Sequence, residues 1–95
     1  MYAVIRKYQF DQGLNEDLDR KIQEAFVPLI KKVPGFVAYY WLNNGNGTGA
    51  SFSVFQDKAG AEESVRVAAG FVAEQLGAQA LGKPEITEGV VQAHG

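Results

Sequence analysis

A chain of 95 residues with a net charge of −2 is long enough for one small domain, 1–95, and has no basic field that would attract nucleic acid or an anionic membrane. It contains no cysteine, which excludes a disulfide scaffold, a thiolate nucleophile and a cysteine-ligated metal. Its one histidine, His94, argues against a histidine-rich metal site or an internal Ser/His/Asp triad.

The first third of the chain predicts a strand followed by a helix. Residues 2–10 are rich in β-branched and aromatic side chains, which is typical of a strand. From residue 15 apolar residues recur at spacings of three and four, which predicts an amphipathic helix that ends at Pro34. Pro28 lies inside this helix, and we expect its ring and its missing N–H to distort the helix near Glu24.

The rest of the chain predicts a hairpin, a second helix and a last strand. The stretches 36–42 and 50–55 are apolar, and the Asn- and Gly-rich turn between them predicts a β-hairpin. Asp57 is expected to cap a helix that runs to about residue 76. A loop over 77–84 then leads to a strand over 85–93. The order β-α-β-β-α-β predicts the ferredoxin-like α+β fold, a four-stranded antiparallel sheet with two helices on one face.

Strands two and three carry apolar side chains on both faces. Tyr39 and Trp41 alternate with Tyr40 and Leu42, so neither face of strand two is polar. Two helices cover one face of the sheet, and an uncovered apolar face of this size indicates an interaction surface. We therefore predict a homodimer joined sheet to sheet.

Three segments resemble a known family with this order of elements. They are VPGF at 33–36, SVFQD at 53–57 and AEES at 61–64. Together with the order of elements they resemble the dimeric α/β-barrel superfamily, and more narrowly the antibiotic-biosynthesis-monooxygenase-like proteins. That superfamily includes cofactor-free monooxygenases of aromatic phenols and quinols, haem-degrading enzymes and proteins with no known activity.

The resemblance implies a ligand pocket between the sheet and the helices, with the opposite sheet faces meeting in the dimer. The residues implied at the pocket are Arg6, Tyr8, Phe26, Tyr39, Trp41, Ser51, Ser53, Phe55 and Phe71. The residues implied at the dimer interface are Ile5, Phe36, Tyr40, Leu42, Phe52 and Val54. The aromatic pocket residues suit either stacking on a flat ligand or plain core packing. A guanidinium is seldom buried without an anion. Arg6 is therefore expected to pair with a carboxylate of the chain, to bind an acidic or phenolate ligand, or to keep its head group in water.

The chain departs from the family pattern in two respects. Where monooxygenase members often carry Asn and Trp on strand three, it has Ser51 and Phe55, and Trp41 replaces a common tyrosine on strand two. The second predicted helix has no histidine of the kind that haem-degrading members use as an axial ligand. We therefore expect no haem, no other cofactor and no metal.

The function implied is small-molecule binding, with cofactor-independent monooxygenation of an aromatic, polyketide- or quinol-like substrate as the leading reaction. Arg6, Tyr8 and Trp41 would bind and polarise that substrate as a phenolate. A catalytically silent ligand-binding or dimerisation module is one alternative. A cyclase or isomerase is another, with His94 as its candidate base. Without a signal-like segment or a long apolar run, we expect a cytoplasmic protein whose partners are a second copy and a small aromatic molecule.

Overall fold

The backbone forms one four-stranded antiparallel sheet in the order β2-β3-β1-β4, with helices packed against one face. The structure, a computed structural model, describes residues 1–11, 13, 15–76 and 83–95. The strands are β1 (Tyr2–Gln9), β2 (Phe36–Asn43), β3 (Thr48–Phe55) and β4 (Glu85–Val90). This topology confirms the predicted ferredoxin-like fold. The predicted loop over 77–84 lies mostly outside the described residues.

Both helical regions contain a π-helical segment. The first comprises α1 (Asn15–Lys21), a π segment (Ile22–Phe26) and α2 (Val27–Ile30). The second comprises α3 (Lys58–Phe71) and a π segment (Val72–Leu76). No helix among the described residues is both long and apolar enough to cross a membrane.

The distortion predicted around Pro28 takes the form of the first π segment. The backbone N–H of Val27 donates to the carbonyl of Ile22, five residues earlier, so the chain is wound more loosely before Pro28. Pro28 itself stands in the first turn of α2, where a proline is tolerated. At the other helical region, Asp57 caps α3 as predicted, because its Oδ1 accepts a hydrogen bond from the N–H of Gly60 at 3.1 Å.

The core lies between the sheet and the helices. Most of the apolar stripe predicted for the first helical region faces inward, since Leu18, Ile22, Phe26 and Ile30 are buried, but Leu29 of the same stripe is 43% exposed. The other buried apolar residues are Val4, Tyr8, Phe10, Val33, Phe55, Ala61, Ala68 and Phe71. Inward-facing residues of β1 and β3 alternate with outward-facing ones, as the period of two requires.

A β-bulge between Phe36 and Ala38 corrects the predicted position of Phe36. Phe36 pairs with Phe55, and their rings meet edge to face with centroids 6.2 Å apart. Because of the extra residue in β2, Phe36 lies on the opposite face of the sheet from the one that simple alternation over 36–42 predicts. Phe36 therefore packs against the core on the helix-facing side and does not belong to the outer face of the sheet.

The outer face of the sheet, on the side away from the helices, is apolar and exposed over β2 and β3. Tyr40 is 64% exposed, Leu42 54% and Phe52 37%. In the strand register, Tyr40 is paired with Phe52 and Phe52 with Ile5, so these three side chains form one row across the sheet. Val54 lies on the same face.

Candidate functional site

Arg6 on β1 has a buried side chain between the sheet and α3. Its Nη2 donates a hydrogen bond to Ser64 Oγ at 3.0 Å, and its Nη1 donates to Ser53 Oγ at 3.4 Å. Ser64 in turn donates to the carbonyl of Ala61 at 2.6 Å. Because Arg6 is only 2% exposed, the alternative of a solvated head group is wrong.

Arg6 carries its positive charge without an ion-pair partner among the described residues. The ion pairs among the described residues lie on helix surfaces, and none involves Arg6. Its Nε is buried and has no hydrogen-bond partner. Burial lowers the pKa of Arg6, while the nearby Tyr8, Tyr39 and Glu88 act in the opposite direction. A buried cation that is held by two hydroxyl groups is incompletely compensated, so the site favours an anion.

Two tyrosine phenols lie close to this charge. Burial raises the pKa of Tyr8 and of Tyr39, and in both the Arg6 charge opposes the shift. A hydrogen bond from Ser51 also favours the ionised form of Tyr39, without reversing the effect of burial. Both phenols are therefore protonated near neutral pH and serve as hydrogen-bond donors, not as general bases.

Arg6 and Tyr8 line a small inner cavity between the sheet and the helices. The cavity measures about 20 Å³, enough for about one water molecule. Phe26 packs between two other rings, with its ring centroid 5.1 Å from that of Phe71 and 5.2 Å from that of Tyr39. The lining residues are Arg6, Tyr8, Ile22, Phe26, Tyr39, Trp41, Ser51, Ala68, Phe71 and Val72. Seven of the nine residues predicted for a pocket thus line this cavity, but their aromatic rings pack closely and leave room for about one water molecule.

A larger cavity, the α3–β4 groove, opens on the other side of Arg6. It measures about 390 Å³, within the range of roughly 300–1,000 Å³ that is usual for small-ligand sites. The lining residues are Arg6, Tyr8, Val65, Ala68, Ala69, Val72, Ala73, Lys83, Pro84 and Ile86. Arg6 and Tyr8 therefore form a wall shared by both cavities.

Lys83, Pro84 and Ile86 line the groove although they were not predicted from the sequence as site residues. A signal for one of them exists in the strand register, because Ile86 pairs with Arg6 and so faces the helices. The predicted β4 could have been aligned on β1 in this way. Lys83 and Pro84 precede the strand, and no periodicity places them against α3.

Trp41 lines the inner cavity, as the resemblance implied, and it also has a structural role. Its Nε1 donates to Asp19 Oδ1 at 2.7 Å, and Asn43 Nδ2 donates to the same oxygen at 3.0 Å. Asp19 lies on α1, so the two bonds fasten the first helical region to β2. The indole N–H is thus already satisfied within the protein, and the ring packs against Tyr8 with centroids 6.3 Å apart.

The remaining candidates lie away from both cavities. Ser53 accepts a hydrogen bond from Arg6, and Phe55 is a fully buried core residue. His94 is exposed beyond β4, which ends at Val90 instead of at the predicted residue 93. Neither a histidine nor a carboxylate is found among the described residues that line the two cavities. No group of three or more potential metal ligands occurs within the described part of the chain.

No protein-family model and no curated protein matches the chain. Solved structures do, and one is a protein of unknown function from Nitrosomonas europaea, NE2512. It is 25% identical, the match covers 99% of this chain and 91% of that one, and the TM-score is 0.80.

Two other matches are enzymes. MhuD, a haem degrader from Mycobacterium tuberculosis, is 12% identical over 99% of this chain and 98% of its own, with a TM-score of 0.75. SnoaB, a cofactor-independent oxygenase from Streptomyces nogalater, is 16% identical over 98% of this chain and 94% of its own, with a TM-score of 0.66. The chain therefore has the ferredoxin-like fold of the antibiotic-biosynthesis-monooxygenase-like proteins, a fold that carries more than one activity.

Proposed function

We propose that this chain, with its antibiotic-biosynthesis-monooxygenase-like fold, binds a small aromatic molecule through an ionised oxygen held by Arg6, and oxygenates it without a cofactor. The observation that carries the proposal is the Arg6 guanidinium, which is 2% exposed, has no ion-pair partner among the described residues and keeps an unpartnered Nε. An ionised ligand oxygen supplies the charge and the acceptor that this group lacks.

The surroundings of Arg6 strengthen its interaction with an anion. The side chains around Arg6 are mostly apolar and its guanidinium is buried, and a charge-assisted hydrogen bond is stronger where the effective dielectric constant is low. Tyr8 is protonated and lines the same wall, so its hydroxyl can donate to the same ligand. Both side chains stabilise a phenolate or an enolate relative to its neutral form, which lowers the pKa of the bound ligand.

Cofactor-independent oxygenation makes use of such an ionised substrate. In an anthrone the ring passes four electrons to O2, so that the ring CH2 becomes a carbonyl and the other oxygen atom leaves as water with the two hydrogens. In a hydroquinone one ring C–H becomes C–OH, the ring is oxidised to the quinone, and the other oxygen atom leaves as water. A substrate that ionises on binding to Arg6 needs no histidine or carboxylate in the cavity walls. SnoaB, a cofactor-independent oxygenase with the same fold, supports this reaction class.

Binding is tested by isothermal titration with naphthoate and with the neutral naphthalenemethanol. We expect naphthoate to bind the wild type and to lose about tenfold or more in affinity in Arg6→Met, because a hydrogen-bonded charge partner is removed. Arg66→Met is the matched control, since Arg66 is an exposed arginine of α3 that lines neither cavity. The proposal is wrong if both variants bind naphthoate as the wild type does, or if the alcohol binds as tightly as the acid.

Arg6→Met is a fair test because it should fold. Replacing a buried cation that has no carboxylate partner by an apolar side chain of similar length is often neutral or stabilising. We expect its thermal midpoint to equal or exceed that of the wild type, which circular dichroism measures directly.

Turnover is tested by O2 uptake with a dihydroxyanthrone and a hydroquinone, each corrected for autoxidation. We expect uptake above background in the wild type and in Arg66→Met, and none in Arg6→Met. Binding without any conversion would instead support a silent ligand-binding module. Conversion without O2 uptake would support a cyclase or isomerase, and either result contradicts the oxygenase.

We also propose that two copies of the chain associate through the outer face of the sheet. The support is the row formed by Ile5, Phe52 and Tyr40, together with Leu42 beside it, which one layer of helices leaves uncovered. Burial of these side chains against a second copy removes them from water and closes a two-fold arrangement.

A further inference from the structure

Resting on the proposed function, we infer that the aromatic body of the ligand lies in the α3–β4 groove and that Lys83 at its rim binds a second acidic group. The ligand class is then an aromatic diacid or an aromatic hydroxy acid, with one ionised oxygen on Arg6 and the other on Lys83. The inner cavity lies behind Arg6 and takes no part of the aromatic ring system.

The two cavities beside Arg6 differ greatly in size. Arg6 and Tyr8 face two cavities, and these measure about 20 Å³ and about 390 Å³. The smaller is filled by packed aromatic rings and accommodates about one water molecule. A ring system that reaches Arg6 must therefore approach from the groove.

The helical wall of the groove carries small side chains. Ala69 and Ala73 lie about one turn apart on the second helical region, and both are exposed in the groove. Such small side chains leave room for a flat body that larger residues would occupy. Val65 and Ile86 supply apolar surface on either side.

The charged residues that line the groove are both basic. The groove is lined by two basic residues, Arg6 at its inner end and Lys83 in an exposed position, and by no acidic residue of the described chain. The remaining lining residues except Tyr8 are apolar. Two positive charges on one otherwise apolar groove complement two negative groups joined by a hydrophobic body.

The location is tested by filling the groove. Ala69→Phe should reduce the affinity for naphthoate about tenfold or more, because the new ring occupies the volume of the ligand. Gly70→Phe is the matched control: Gly70 is the next residue of α3, is exposed, and has nothing within 4 Å of the position that a Cβ would take. Unchanged naphthoate binding by Ala69→Phe would overturn the location.

The second acidic group is tested with naphthoate and naphthalenedicarboxylate isomers that hold their carboxylates at different spacings. We expect one isomer to bind the wild type about tenfold more tightly than naphthoate, and Lys83→Met to abolish that gain without changing naphthoate affinity. Lys31→Met, an exposed lysine that lines neither cavity, should keep the gain. No gain with any isomer, or a gain that survives in Lys83→Met, would overturn the role of Lys83.

These results are separable from the test of the proposed function. If Arg6→Met abolishes naphthoate binding while Ala69→Phe leaves it unchanged, the anion site stands and its assignment to the groove is wrong. If Arg6→Met leaves naphthoate binding unchanged, the proposed function itself is wrong.

Discussion

Arg6 and the phenols beside it form a polar group inside an apolar core. Hydroxyl groups of Ser53 and Ser64 accept two of the guanidinium hydrogen bonds, while the tyrosines supply neutral donors near the same charge. This arrangement stabilises the cation less than a carboxylate would. The ligand that we propose would complete it, so the proposed chemistry of the site depends on this one side chain.

The buried phenol of Tyr39 makes the stability of the folded protein depend on pH. Its pKa in the folded state is raised by burial, so the unfolded chain releases the phenol proton first, at about pH 10. The stabilisation is therefore complete below about pH 10 and is lost as the pH rises above that value. We expect the free energy of unfolding to fall above pH 10, and Tyr39→Phe to make this fall shallower by up to about 1.4 kcal/mol per pH unit.

Urea unfolding between about pH 8 and pH 11 measures this slope. Tyr2→Phe is the control, because Tyr2 lies at the start of β1, away from the outer face of the sheet, and its exposed hydroxyl donates to Glu88. A slope in Tyr39→Phe as steep as in the wild type and in Tyr2→Phe would contradict the assignment.

At the scale of elements, the β2–β3 hairpin is held to α1 by Trp41 and Asp19. The indole lies directly over Gly49 on β3, and a Cβ at that position would stand 2.4 Å from Trp41 Cη2. The 2.7 Å hydrogen bond from Trp41 to Asp19 prevents the ring from moving away freely. A glycine on this face of the strand is therefore required by packing, and not by an unusual backbone angle.

We expect Gly49→Ala to lower the free energy of unfolding by about 1–3 kcal/mol, because the added methyl group displaces the indole. Gly70→Ala carries the same substitution where nothing lies within 4 Å, and it should leave stability unchanged or slightly higher. Urea unfolding followed by the fluorescence of Trp41, the one tryptophan of the chain, measures both. Equal free energies of unfolding of the two variants would show that the Trp41 indole moves aside at little cost in stability.

For the whole molecule, the two faces of the sheet differ in how they are covered. The helix-facing side is buried in the core, while Tyr40, Leu42 and Phe52 remain exposed on the outer face. A sheet with one uncovered apolar face exposes surface that association would bury. The proposed dimer follows from this imbalance.

We expect the wild type to sediment as a dimer at micromolar concentration and Phe52→Lys to sediment as a monomer, because a buried lysine without a partner is costly. Leu29→Lys is the matched control, since Leu29 is an exposed apolar residue of α2, away from the sheet. Analytical ultracentrifugation measures all three. A monomeric wild type, or a Phe52→Lys variant that remains dimeric, would contradict the proposed interface.

The amino-acid sequence by itself determined the order of the elements and the fold that this order predicts, the cap at Asp57 and the helix distortion before Pro28. Each depends on residues close together in the chain: the period of two in a strand, the period of 3.6 in a helix, and the backbone limits of proline. The resemblance added the helix-facing position of Arg6, whose side chain the structure places between the sheet and α3.

The tertiary structure decided what depends on residues far apart in the chain. A single bulge places Phe36 on the helix-facing side of the sheet, and Asp19 accepts the hydrogen bond of the Trp41 indole N–H. Packed aromatic rings fill most of the predicted pocket. The open volume lies where α3 meets β4, beside Arg6 but outside the aromatic cluster. These outcomes are set by how side chains from separate elements fill the same space, which no local pattern records.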